Sequence, residues 1–110
     1  MAYDEQLASR IRALLDGERD LAEKKMFGGL AFLIGGNMAV AASGQGGLLV
    51  RVDPQESHAL ADGVHVQPME MRGRTMEGWL RVDSRTVTDD KALADWVARG
   101  AAFARSLPPK

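Results

Sequence analysis

The segment 24–36 constrains the fold of this chain more than any other part of its sequence. It reads KKMFGGLAFLIGG, so a lysine pair and a glycine pair precede an uninterrupted apolar run that a second glycine pair closes. Short apolar runs bounded by turn-forming residues are typical of buried β-strands. We therefore predict a strand from Leu30 to Ile34, followed by a hairpin turn at 35–37.

The hydrophobic pattern of the remaining sequence predicts an α+β domain with a five-stranded antiparallel sheet and flanking helices. The order is α-β-β-β-α-β-β-α, in one domain over residues 1–110. Small residues in the second strand predict a helix packed closely on one face of the sheet. Thr88 is the expected cap of the last helix, and Asp53 that of the middle helix. The predicted elements are a helix at 4–16, a connection at 18–23, strands at 30–34, 38–42 and 48–52, a helix at 53–63, strands at 64–67 and 78–82 with a loop at 69–77 between them, and a helix at 89–107.

The composition limits the functions open to the chain. With 14 Lys+Arg against 15 Asp+Glu, its net charge of −1 provides no general attraction for nucleic acid or anionic lipid. The absence of cysteine excludes disulfides, thiolate catalysis and thiolate metal sites. An acidic N-terminus and the lack of a long apolar window predict a cytoplasmic location and no membrane partner.

Motifs for catalysis, cofactor binding and metal binding are missing from the sequence. The glycines of segment 44–47 lack the Lys-Ser/Thr of a phosphate-binding loop and precede a predicted strand instead of a helix. His58 and His65 are the only histidines, which is too few for a zinc site without further ligands. Ser43 has no preceding glycine of a nucleophile elbow. We therefore predict no catalytic residues, no cofactor and no metal.

Three stretches of the chain together resemble the N-terminal domain of the TfoX/Sxy family. They are the segment KKMFGGLAF at 24–32, Pro68-Met69 with the following glycines and Met76, and the closing run from Trp96 to Pro108. This resemblance implies an α-β3-α-β2-α domain, in agreement with the order predicted from hydrophobic spacing. It also implies a link to the regulation of natural competence and offers no catalytic residues. The longer members carry a second, helix-hairpin-helix-like domain, and we expect a stand-alone copy of the N-terminal one.

From these observations we predict a non-enzymatic regulatory or protein-interaction domain whose partner is another protein or a second copy of itself. An antiparallel sheet has edge strands that are able to pair with another chain. The predicted interaction rim comprises Lys24, Lys25, Met26, Phe27, Gly28, Gly29, Arg51, Arg72, Arg74, Met76 and Trp79.

Two other functions remain open for the same surface. A nucleic-acid-binding accessory domain would place the basic members of the rim on phosphates, with affinity that falls as salt rises. Those members are Lys24, Lys25, Arg51, Arg72 and Arg74. A small-ligand-binding module would need a concave pocket instead. Its lining would include Met26, Phe27, Arg74 and Trp79.

Overall fold

The computed structural model describes residues 3–26 and 28–110, apart from the side chain of Met71. Within these ranges the chain forms three α-helices and six β-strands. A 3-10 turn at Thr86–Thr88 precedes the last helix. The elements are α1 (Glu5–Leu14), β1 (Leu21–Met26), β2 (Gly29–Ile34), β3 (Asn37–Ala42), β4 (Leu48–Arg51), α2 (Ser57–Leu60), β5 (Val66–Met71), β6 (Arg74–Val82) and α3 (Asp90–Ser106).

The strands form one sheet in the order β1-β2-β3-β4-β6-β5, and every neighbouring pair is antiparallel. The predicted α+β class and antiparallel pairing are confirmed. The predicted number of strands is wrong, because the described sheet has six strands instead of five. β1 lies at one edge of the sheet and β5 at the other.

The missing strand is β1, whose residues the sequence assigned to a connection and to the approach to the first strand. β1 reads LAEKKM, and its four central residues are exposed. The four central side chains are exposed on both faces of the sheet, so neither face requires apolar residues and the strand shows no alternation of apolar and polar positions. The pattern that predicted the buried strands was therefore absent here.

The predicted loop at 69–77 is also wrong, since β5 and β6 continue through it as a hairpin. The turn is at Arg72 and Gly73, which have φ values of 53° and 77°. Positive φ at both turn residues matches the tight hairpins that join twisted strands. Gly35 and Gly36 form the predicted turn between β2 and β3 in the same way, whereas Asn37 already belongs to β3.

The two long helices are confirmed within two residues at each end, but the predicted cap of α3 is wrong. Asp89 is the N-cap, and its side chain accepts a hydrogen bond from the backbone N–H of Ala92 at 2.9 Å. Thr88 lies one residue earlier, in the 3-10 turn, where its hydroxyl donates to the carbonyl of Ser84 at 2.9 Å. An aspartate is as good a cap as a threonine, so composition could not choose between neighbours.

The middle helix is much shorter than predicted. α2 is a single turn that begins at Ser57, and the predicted cap is wrong, because the N-cap residue is Glu56 instead of Asp53. The Asp53 carboxylate accepts from the backbone N–H of Gln55 at 2.9 Å, which stabilises the turn that leads into α2. The following strand consequently begins at Val66, two residues later than predicted.

The sheet has two apolar faces, and α1 and α3 pack on one of them, which we call the helix-covered face. Gly100 allows α3 to approach β3 closely, because a Cβ there would lie 2.5 Å from the carbonyl oxygen of Ala39. This contact confirms the close helix predicted from the small residues of β3. The buried cluster on this face includes Leu30, Phe32, Val40, Val50 and Leu80 from the strands, Leu7 and Ile11 from α1, and Leu93, Val97, Ala101 and Ala104 from α3.

A second buried cluster lies on the opposite side, which we call the open face. Its members all belong to strands, namely Ala31, Met38, Ala41 and Leu49, with the half-buried Met26, Leu33, Met69 and Trp79 packed around them. Among the described residues, no helix is both long and apolar enough to cross a membrane.

Candidate interaction surface

The first part of the predicted rim lies on the β1–β2 hairpin. Lys24 and Lys25 are exposed on β1, and Met26 is half-buried at its end. In the register of the hairpin, Lys24 lies opposite Ala31 of the open face, and Lys25 lies opposite Leu30 of the helix-covered face. The two lysine side chains therefore leave β1 on different faces of the sheet.

The glycines of this hairpin have a structural role. A Cβ on Gly29 would collide with the backbone carbonyl of Ala42 and lie 3.0 Å from the backbone nitrogen of Gly44. A Cβ on Gly44 would in turn lie 2.7 Å from the carbonyl carbon of Gly28. The β1–β2 and β3–β4 turns thus touch through their backbones, and glycine is needed on both sides. Phe27, a predicted member of the rim, lies outside the described residues.

Arg51 and Trp79 lie opposite each other on β4 and β6. The Arg51 guanidinium is 5.2 Å from the ring centroid of Trp79 and 5.6 Å from that of Phe103 on α3. These are cation–π distances. Arg51, predicted as a phosphate contact, therefore joins the sheet to the last helix.

Arg72, Arg74 and Met76 belong to the β5–β6 hairpin. Arg72 and Arg74 are exposed, whereas Met76 is half-buried and pairs with Met69 of the edge strand β5. In the hydrogen-bonding order of the sheet, this hairpin lies at the opposite end from β1. In strand order, the rim therefore includes residues at both ends of the sheet as well as Arg51 and Trp79 on the inner strands β4 and β6.

The open face is strongly curved. A cavity of about 70 Å³ on this face is lined by Met26 of β1 and Met69 of β5, together with Ala41, Leu49 and Arg81 among others. In a flat sheet of six strands the edges would be about 24 Å apart. Two edge methionines reach one small cavity only because the sheet curls around it. The sequence placed Met26 near a ligand pocket, but Arg74 and Trp79 are not among the described residues that line this cavity.

Beside this cavity lies a polar groove of about 420 Å³ that the sequence did not reveal. Its lining includes His65, whose Nδ1 is 2.7 Å from Oδ2 of Asp83. His65 immediately precedes Val66, Asp83 immediately follows Val82, and these two strand ends are paired with each other. Their meeting depends on strand register, which single-sequence patterns do not define.

The Asp83 carboxylate holds its proton weakly. Hydrogen bonds from His65 and from Thr86 lower the pKa of Asp83 from 3.8 to about 2. The same contact with Asp83 raises the pKa of His65 above its ordinary value of 6.5. In the described side-chain hydrogen bonds the His65 ring contacts the Asp83 carboxylate, and the two residues form an ion pair when His65 is protonated.

The His65–Asp83 pair predicts a pH-dependent contribution to stability. Because the pKa of His65 is raised by folding, its contribution is present below about 6.5 and disappears as the pH rises through the folded value. The lowered pKa of Asp83 gives a contribution that is present above 3.8 and is lost as the pH falls towards about 2. We expect the melting-temperature difference between the wild type and His65→Gln to be largest between these limits, near pH 5. A difference that is constant from pH 3 to pH 9, measured by thermal denaturation, would contradict this.

Together these features define an α+β domain with a curled antiparallel sheet, one helix-covered face and one open face. The sequence model of the TfoX N-terminal domain family matches residues 13–104, which is most of the chain. The chain therefore belongs to the TfoX N-terminal domain family, as the resemblance predicted. Comparisons with curated proteins and with solved structures give no match.

Proposed function

We propose that the chain is a non-enzymatic, cytoplasmic regulatory domain that acts by binding another protein or a second copy of itself. Membership of the TfoX N-terminal domain family supports a regulatory role related to competence. The structural observation that carries the proposal is the edge strand β1, which leaves one side of its backbone available for pairing.

The two edges of the sheet differ in their capacity to pair with another chain. β1 pairs with β2 without interruption, from Leu21 opposite Ile34 to Met26 opposite Gly29. β5 contains Pro68, which lacks an N–H, and its register with β6 shifts between Pro68 and Met69. Proline and bulges protect an edge against further pairing. β1 is therefore the edge better suited to a protein partner.

The open face provides apolar area next to this edge. Met26 and Leu33 are half-buried on β1 and β2, and both pack against the strand-only cluster. Methionine side chains adapt to differently shaped apolar partners. A strand added beside β1 would cover part of this surface as well as the free backbone groups.

Nucleic-acid binding is the second candidate, and the basic residues at both ends of the sheet favour it. Lys24, Lys25, Arg72 and Arg74 are exposed, and they form no salt bridge among the described residues. Arg51 contributes less to this function because two aromatic rings hold its guanidinium.

Light scattering after size exclusion, combined with affinity capture, tests the proposal. We expect either a mass above that of the 11.9 kDa monomer or the specific capture of a protein, with loss of capture when β1 is altered. A strict monomer that captures nothing would contradict the proposal. Duplex and single-stranded DNA at low salt form the second arm of the experiment. Binding that weakens steeply with added salt would favour the nucleic-acid function instead.

A further inference from the structure

We propose that β1 pairs antiparallel with β1 of a second copy, about a twofold axis at Lys24, so that Glu23 of each copy lies opposite Lys25 of the other. This inference rests on the proposed function and names the partner and the register. It follows from the backbone pattern of β1, from the symmetry of such a contact, and from the charges along the strand.

The backbone pattern shows which residues of β1 have outward-facing hydrogen-bonding groups. The N–H of Gly35 donates to the carbonyl of Asp20 at 3.1 Å, and this pair continues the β1–β2 register by one position. In an antiparallel pair, hydrogen-bonded and non-hydrogen-bonded positions alternate. Ala22, Lys24 and Met26 therefore bond towards β2. Leu21, Glu23 and Lys25 direct their N–H and C=O groups away from the sheet.

Symmetry restricts the registers in which two copies of β1 are able to pair. A twofold axis perpendicular to the sheet keeps side chains of the two strands on matching faces. An axis at Glu23 would place two carboxylates opposite each other, and an axis at Lys25 would do the same with two ammonium groups. An axis at Lys24 sets Glu23 opposite Lys25 on both sides. Directly opposite charges of unlike sign stabilise a cross-strand pair, and like charges destabilise it.

The chosen register uses groups that are already in position. Glu23 is held by a bidentate contact in which Arg12 Nε and one terminal nitrogen lie 2.6 and 2.7 Å from its two carboxylate oxygens. This contact fixes the carboxylate on the helix-covered face, the face on which Lys25 of the second copy would arrive. Each copy would exchange two backbone hydrogen bonds at each Glu23–Lys25 position.

Lys24 works against the same contact. At the axis the two Lys24 side chains would lie opposite each other on the open face, where repulsion weakens the dimer. An interface limited to one strand edge is also small, which is typical of weak and transient association. We therefore expect a reversible, concentration-dependent dimer.

Sedimentation equilibrium of the full chain over a concentration series tests this inference with three variants. Lys25→Pro removes an outward N–H and no β1–β2 bond, and we expect it to raise the dimer dissociation constant by about tenfold or more. Lys25→Glu places like charges opposite Glu23 and should weaken the dimer by several-fold. Lys24→Thr removes the repulsion at the axis and should tighten the dimer by about threefold.

The outcomes separate this inference from the broader proposal. A wild-type dimer that is weakened by Lys25→Glu and tightened by Lys24→Thr supports the register. These two variants are sufficient for the test if Lys25→Pro fails to fold. A dimer that is unchanged in the variants would overturn the β1 contact while leaving self-association in place. A wild type that stays monomeric at millimolar concentration but captures another protein would overturn this inference alone.

Discussion

Replacing Phe32 by alanine is expected to lower the free energy of unfolding by about 4 kcal/mol. Phe32 is fully buried on the helix-covered face, and it has one of the largest completely enclosed side chains among the described residues. Removing the ring loses its transfer free energy and leaves a cavity that the surrounding strands and helices fill only in part. Urea denaturation, monitored by circular dichroism, measures the change.

Leu33→Ala is the matched control for this substitution. Leu33 is the next residue of β2, but its side chain lies half-buried on the open face. We expect it to cost roughly 1 kcal/mol, because part of the side chain is already in contact with water. Equal losses for the two variants would show that the faces of β2 are assigned wrongly.

Gly100→Val is expected to cost about 3 kcal/mol, even though valine favours a helix more than glycine does. A Cβ at this position would lie 2.5 Å from the carbonyl oxygen of Ala39 and 2.9 Å from Cγ1 of Val40. Neither α3 nor β3 is able to yield without disturbing the buried cluster between them. α3 would have to move away from the sheet to accommodate the new side chain.

Ala102→Val provides the comparison on the same helix. Ala102 is exposed, so the substitution changes helix propensity and little else, at a cost of about 0.6 kcal/mol. Urea denaturation measures the free energy of unfolding of each variant. The decrease relative to the wild type should therefore be severalfold larger for Gly100→Val than for Ala102→Val. A Gly100→Val protein as stable as the wild type would contradict the close packing of α3 on β3.

The elements that were predictable from the sequence are those that bury apolar side chains. β2, β3 and β4 have short apolar runs between glycine turns, and α1 and α3 have a repeating apolar stripe, so each carries its own signal. β1 and the outer half of the β5–β6 hairpin are largely exposed, and their pairing depends on the neighbouring strand. Local patterns carry little information about such strands.

Four basic members of the predicted rim, Lys24, Lys25, Arg72 and Arg74, are exposed, and the lysines lie at the opposite end of the strand order from the two arginines. The lysines lie on β1, an edge strand that the sequence did not predict. Arg72 and Arg74 lie on the β5–β6 hairpin, which the sequence also did not predict, at the other end of the sheet. Arg51 shows a further limit of the sequence. Its packing against Trp79 and Phe103 joins three distant segments, and only the tertiary structure brings them together.

The backbone contact between Gly29 and Gly44 has a consequence for mutational scanning of this domain. Larger residues at either position would force two turns apart before any binding partner is involved. Substitutions at Gly29 and Gly44 will therefore reduce function by reducing stability. Activity data alone would make these two glycines look like part of a ligand-binding loop. Scans that record cellular abundance alongside activity should assign these glycines to folding, leaving the lysines of β1 as the positions that test the proposed pairing.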